Sequence, residues 1–213
     1  MDFAKFVQMM ESRSLWFARV DQLEDPLEAT HTDAEIAGLR KYLEKKRAEQ
    51  LIDMFRIAKR ELYINCWRAG SEESLAMWDL YGKGSGIVAI KSRVGRLAEA
   101  ISDCPQPIYI SKVKYINWNE APGLDNVLVA CSRKDLSYRH ESEVRAIILR
   151  ASHKPHSKHE LGISLPVKPE RLIAEVMVGP REPAWTVRLV ERVMERYGLR
   201  RKIVPSDRLE PRR

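Results

Sequence analysis

The spacing of apolar and polar positions changes several times along the chain, and each change marks an element. Phe3, Phe6, Val7 and Met10 recur at helical spacing, and Ser14-Leu15-Trp16-Phe17-Ala18 follows as a short strand. Asp25-Pro26 breaks regular structure. Residues 34–60 are rich in Ala, Leu, Glu, Lys and Arg, with Ile36, Leu39, Leu43, Leu51, Met54 and Phe55 as a buried stripe. This predicts one long helix or two, with Gly38 the weak point. Strands are predicted at 62–67 and 86–91, a short helix at 74–81 and another helix at 94–101. Pro105 and Pro107 bracket a turn before an alternating strand over 108–115. Further strands are predicted at 143–149, 163–167 and 172–178, a polar loop at 152–161, and a helix at 183–197 with Pro183 near its first turn.

Helices and strands are mixed here without a regular β-α-β rhythm, and no glycine-rich nucleotide fingerprint follows a strand. The expected fold class is therefore α+β, a single domain over 1–213 with a mixed, largely antiparallel sheet flanked by helices. No repeat or low-complexity tract interrupts it.

A charged cluster, Tyr138-Arg139-His140-Glu141-Ser142-Glu143-Val144-Arg145, runs directly into the apolar stretch Ala146-Ile147-Ile148-Leu149. A strand starting near Glu141 puts Glu141, Glu143 and Arg145 on one face and Val144, Ala146 and Ile148 on the other. Two carboxylates and a guanidinium then converge at one strand end. Such a group can hold a polyol and steady a developing positive charge, and it can equally be a buried ion-pair network that fixes a loop.

Composition narrows the class without naming an activity. With 213 residues, 44% hydrophobic and 31% charged, the chain is that of an ordinary globular protein. It has neither an apolar run of membrane-spanning length nor a leader-like start, which predicts a cytoplasmic protein away from membranes. Cys66, Cys104 and Cys131 are widely spaced and form no C-x-x-C pair, so ordinary reduced thiols are expected. The net charge of +7 is concentrated in residues 196–213, where seven Arg or Lys face Asp207 and Glu210. That basic carboxy-terminal segment is either solvated or a contact for nucleic acid or another acidic partner.

Other constellations each have two readings. The glycines of Gly82-Lys83-Gly84-Ser85-Gly86 let backbone amides approach a phosphate, or simply join a helix to a strand. His153, His156 and His159 form a polar loop, or bring two imidazoles to a metal. Asp25-Pro26-Leu27-Glu28 forms a turn on which Arg19 or Arg68 can pair. Trp78 and Tyr81 fall three apart on a short helix, as core residues or as a stacking surface for a nicotinamide or nucleobase.

Taken in order, these pieces resemble a bacterial and phage family known as domain of unknown function 2971. The resemblance covers nearly the whole chain. It rests on 14–19 through Asp25-Pro26-Leu27-Glu28, on Cys66-Trp67, Glu73-Ser74 and Met77-Trp78-Asp79-Leu80-Tyr81, on Gly86-Ile87-Val88-Ala89-Ile90, and on His140-Glu141-Ser142-Glu143-Val144-Arg145. A looser resemblance joins the strand at 62–67, the helix at 74–81, the strand at 86–91 and Glu141-Ser142-Glu143 to ADP-ribosyltransferases. That likeness implies an enzyme or toxin cleaving NAD as its substrate. Glu143 would be the catalytic carboxylate and Glu141 would orient the acceptor. Tyr81 or Trp78 would pack on nicotinamide, and the rest of the pocket would be lined by Arg19, Asp25, Glu28, Arg68 and Arg145. Two departures go with it: Asn65-Cys66-Trp67 replaces the usual Ser-Thr-Ser, and relatives begin with a strand carrying an Arg-Tyr pair immediately before the position of Met1. The expected start then lies upstream, or part of the site has been lost. The alternatives are a nucleic-acid-binding or regulatory module whose charged cluster is structural, and a nuclease in which Asp25, Glu28, Glu141 and Glu143 gather a divalent ion.

Overall fold

Side-chain caps fix many of the helix starts in the computed structural model, which describes residues 1–82, 86–120, 123, 126–150 and 160–206. Asp2 accepts from the Lys5 amide to open α1 (Phe3–Ser12). Thr32 and Glu35 form a reciprocal capping box on α2 (Asp33–Tyr42). The predicted helical stretch breaks at Leu43 and Glu44 before α3 (Lys45–Arg60). Gly38 stays inside α2, where added side-chain bulk would meet nothing within 4 Å. The break falls where it lets Leu39 of α2 pack with Ala48 and Ile52 of α3, in a small core of their own.

The chain gathers into two compact units, each assembled from separate stretches. The first takes in Met1–Leu15, Gly70–Cys104 and Ser164–Arg213. Its mixed sheet is ordered β10 (Lys202–Pro205), β9 (Glu175–Val178) and β3 (Val88–Lys91), parallel in the first pair and antiparallel in the second. Around it are α1, α4 (Leu75–Tyr81), α5 (Val94–Ile101), α7 (Pro169–Leu172) and α8 (Ala184–Arg196). The strand predicted over 172–178 is thus shortened, because Leu172 ends a helical turn begun at Pro169. Phe6, Met10, Val88, Val176, Val190 and Met194 are buried in this unit.

The second unit takes in Trp16–Ala69 and Pro105–Ile163. Its sheet is ordered β4 (Tyr109–Lys112), β7 (Glu143–Leu149), β2 (Leu62–Arg68), β1 (Ser14–Arg19) and β8 (Gly162–Pro166). Antiparallel pairing of β2 with β7 runs from Leu62 opposite Leu149 to Arg68 opposite Glu143. One face of that pair carries Ile64 and Ile147 into a core with Val20, Leu62, Ala29 and Cys131. Gly162 is required where β8 meets β1, since a Cβ there would lie 2.4 Å from the Phe17 carbonyl oxygen.

The strand predicted over 108–115 is two strands. Val113 donates its amide to the Glu143 carbonyl, and Lys114 then turns to the Ser132 carbonyl. This starts β5 (Lys114–Ile116), which pairs in parallel with β6 (Arg133–Asp135) after α6 (Val127–Cys131). The α+β class with a largely antiparallel sheet stands as predicted. Among the described residues no helix is long and apolar enough to cross a membrane.

Candidate functional site

The charged cluster forms within the second unit, and its backbone differs from the predicted strand at one point. Glu141 ends a 3-10 turn (Leu136–Glu141), not a strand, and Ser142 takes a left-handed conformation with φ 47° before β7 begins at Glu143. That reversal turns Glu141 inward by a route that strand alternation does not describe. Glu28 arrives from a tight turn in which the Asp25 carboxylate accepts the Leu27 amide at 2.9 Å. The turn closes with Ala29 at φ 50°. Two non-glycine residues thus hold left-handed backbone beside the three carboxylates, at a cost of about 1–3 kcal/mol each.

Arg145 is the centre of the cluster. Its Nη1 and Nη2 fork onto Glu28 at 2.6 and 2.8 Å, Nη2 and Nε donate to Glu143 at 2.6 and 3.0 Å, and Nη1 also reaches the Cys131 carbonyl at 2.8 Å. Those bonds use every N–H of the guanidinium, and the residue is 0% exposed. Lys134 supplies the second cation. Its Nζ lies 2.6 Å from Glu141 and 3.4 Å from Glu28, with the Tyr138 ring 4.4 Å away. Tyr115 accepts the Glu143 amide through its hydroxyl at 2.8 Å. Burial works against the charges on Arg145 and Lys134, yet the paired carboxylates outweigh it and hold both above their ordinary pKa. A second buried pair, Arg133 to Glu35 at 2.8 Å, ties β6 to α2.

The other expected site residues go elsewhere. Arg19 pairs with Asp21 at 2.6 Å. Arg68 is exposed on β2 in register with Glu143. Trp78 and Tyr81 belong to the first unit, where the Trp78 indole donates to Glu73 at 3.1 Å and Tyr81 is half exposed. Of the four carboxylates expected to gather a divalent ion, Glu28, Glu141 and Glu143 are paired with Arg145 and Lys134, and Asp25 shapes a turn. Among the described residues no group of three or more His, Cys, Asp or Glu side chains is arranged to hold a metal. Cavities of about 440 and 380 Å³ are lined by residues outside the cluster.

The remaining sequence constellations resolve as follows. The amides of Gly86 and Ile87 both donate to the Glu182 carboxylate, at 2.8 and 2.9 Å, so the anion beside these backbone groups is the protein's own. Residues 83–85 and the histidines at 153, 156 and 159 lie outside the described residues, as do residues 207–213 of the basic segment. All three cysteines are free. Cys66 is an exposed residue whose thiol is held well above its ordinary pKa, by burial of the sulfur first and by the Glu143 carboxylate second.

Sequence reasoning missed a second charged surface, on α8. Thr186, Val190 and Met194 are buried, leaving Trp185, Arg188, Leu189, Arg192 and Arg196 on the exposed side, with Glu191 and Glu195 exposed between the arginines. The three arginines step by four residues, about 6 Å of helix rise each, and follow Trp185 on one face. No ion pair engages them among the described residues. The four-residue step between arginines was visible in the sequence and is the signal that would have found it.

No known protein family, curated protein or solved structure matches this chain.

Proposed function

We propose that this protein is a nucleic-acid-binding module in which the buried charged cluster is scaffold and α8 is the contact surface. One observation carries the reading: a tryptophan 54% exposed leads a row of exposed arginines that make no ion pair among the described residues. Arginines at single-turn steps meet successive phosphates, and an exposed indole stacks on an unpaired base, which favours single-stranded over duplex nucleic acid. A lipid surface fits less well. The apolar side of α8 faces the interior, and two exposed apolar residues are too few to seat a helix in a membrane interface.

Fluorescence anisotropy with a labelled single-stranded oligonucleotide tests this. With three phosphate contacts, log K against log salt should have a slope of about −2. Replacing Arg188, Arg192 and Arg196 together by Gln should flatten that slope, and Trp185→Ala should weaken binding by about 1–3 kcal/mol. Binding that ignores both changes rejects α8 as the surface.

A second reading has one observation in its favour. The left-handed backbone at Ala29 and Ser142 flanks all three carboxylates, and stored strain of this kind clusters at functional sites. On that reading Glu143 stabilises oxocarbenium character in NAD while Glu141 orients the acceptor. Incubation with NAD, read by nicotinamide release from the parent protein, is its direct test, and no release rejects it.

A further inference from the structure

The edge of the five-stranded sheet presents a chemistry different from either surface above. A cavity of about 440 Å³ is lined there by Tyr109 and Lys112 of β4, Lys114 of β5, and Asn126, Leu128 and Val129 at α6. That volume falls within the range of about 300–1,000 Å³ usual for small-molecule sites. No carboxylate lines it among the described residues. Of its three cations, Arg133 is bound to Glu35, while Lys112 and Lys114 are exposed and make no ion pair among the described residues.

Its neutral groups also have unused capacity. Asn126 commits its carbonyl oxygen to the Leu128 and Val129 amides, and its NH₂ has no acceptor among the described residues. Ser132 gives its proton to the Leu128 carbonyl at 3.0 Å, so its oxygen still accepts. Tyr109 offers a ring 48% exposed beside aliphatic wall residues.

We infer that this cavity binds a nucleoside phosphate, with the phosphate on Lys112 and Lys114 and the base against Tyr109. Two uncompensated lysines match a phosphate monoester, which carries a charge of about −1.5 to −2 near neutrality, better than a carboxylate. Bare phosphate would leave the aromatic and aliphatic wall without a partner. The moiety has two sources, a free nucleotide or the 5′-phosphorylated end of a nucleic-acid strand. The site lies in the second unit and is independent of α8.

Calorimetric titration separates the outcomes. The ligands are adenosine 5′-monophosphate, inorganic phosphate, and a short single strand with either a 5′-phosphate or a 5′-hydroxyl. Saturable binding of the nucleotide or of the 5′-phosphorylated strand is expected, weakened about tenfold or more by Lys112→Gln with Lys114→Gln. Tyr109→Ala should weaken it about tenfold and Tyr109→Phe should leave it intact, since stacking needs the ring and not the hydroxyl. The variant lacking Arg188, Arg192 and Arg196 should bind adenosine 5′-monophosphate like the parent, so failure of the α8 surface and failure of this cavity are read separately. Comparable affinity for nucleotide and phosphorylated strand assigns a free nucleotide. A phosphorylated strand bound about tenfold tighter than both the nucleotide and the hydroxyl strand assigns a strand end. Absence of binding by either phosphorylated ligand, binding undiminished in the double lysine variant, or equal affinity for inorganic phosphate and nucleotide overturns the assignment.

Discussion

Arg145 and the arginines of α8 are the same residue under opposite conditions. Arg145 is wholly buried and each of its N–H groups has an acceptor, whereas Arg188, Arg192 and Arg196 are exposed and unpaired among the described residues. A buried guanidinium of the first kind specifies the arrangement of its neighbours and has no donor left for a ligand. One of the second kind adds little to stability and keeps its donors for a partner. Charge near a sequence motif therefore indicates function only once its pairing is known.

Removing Arg145 should break that contrast most sharply. Arg145→Met leaves Glu28 and Glu143 buried with only the more distant Lys134, at 3.4 and 3.9 Å, which should cost about 3–5 kcal/mol and lower the melting temperature by on the order of 10 °C. Replacing the three α8 arginines by Gln should change stability by no more than about 0.5 kcal/mol for each substitution. Calorimetry on the two variants checks both. Glu143→Gln sharpens the same point: early melting without nicotinamide release from the parent marks a scaffold, while lost release at unchanged melting temperature marks a catalytic carboxylate.

Alkaline titration should show the next largest effect. Burial pushes the Cys131 thiol, which touches the same core, up to about 12 from an ordinary 9.0. The native thiol keeps its proton in that interval while the unfolded one loses it, so stability should fall as pH rises from 9, by about 1.4 kcal/mol per pH unit from this group. Cys131→Ala should make the decline of melting temperature above pH 9 visibly shallower.

Cys66 should give a smaller, kinetic signal. With its thiol held well above the ordinary pKa by burial and by Glu143, it should alkylate more slowly than free cysteine at pH 8.5, despite being an exposed residue. Peptide mapping after timed iodoacetamide treatment measures it. A small stabilising change is expected at Ser142, where φ is 47° and the residue is partly buried. Ser142→Gly should stabilise by up to about 1 kcal/mol, because glycine adopts that backbone without strain.

Local pattern was enough for many of the elements and not for the partners inside the cluster. The helix predicted at 94–101 has those bounds, and capping by Ser74 places α4 where its spacing predicts. The division of residues 34–60 was harder, because the break depends on how α2 packs against α3 and not on the helix-weak Gly38. Glu143 and Arg145 share a strand face as alternation requires, but Glu141 reaches the cluster through a 3-10 turn that alternation cannot describe. Lys134 was missed for a related reason: a three-residue strand reading Arg133-Lys134-Asp135 has no apolar alternation to reveal it. That Arg145 forks onto Glu28 depends on a turn 117 residues earlier in the chain, which no local window contains.

The same fork also sets a timetable for synthesis. Glu28 precedes Arg145 by 117 residues, so at about 5–20 residues per second the carboxylate emerges roughly 6 to 23 seconds before its partner. Until then the turn at Asp25 to Ala29 has no reason to leave water, and burying Glu28 early would strand a charge. The second unit must consequently close late, after β7 has been made, in a step that docks Glu28, Glu143 and Arg145 together.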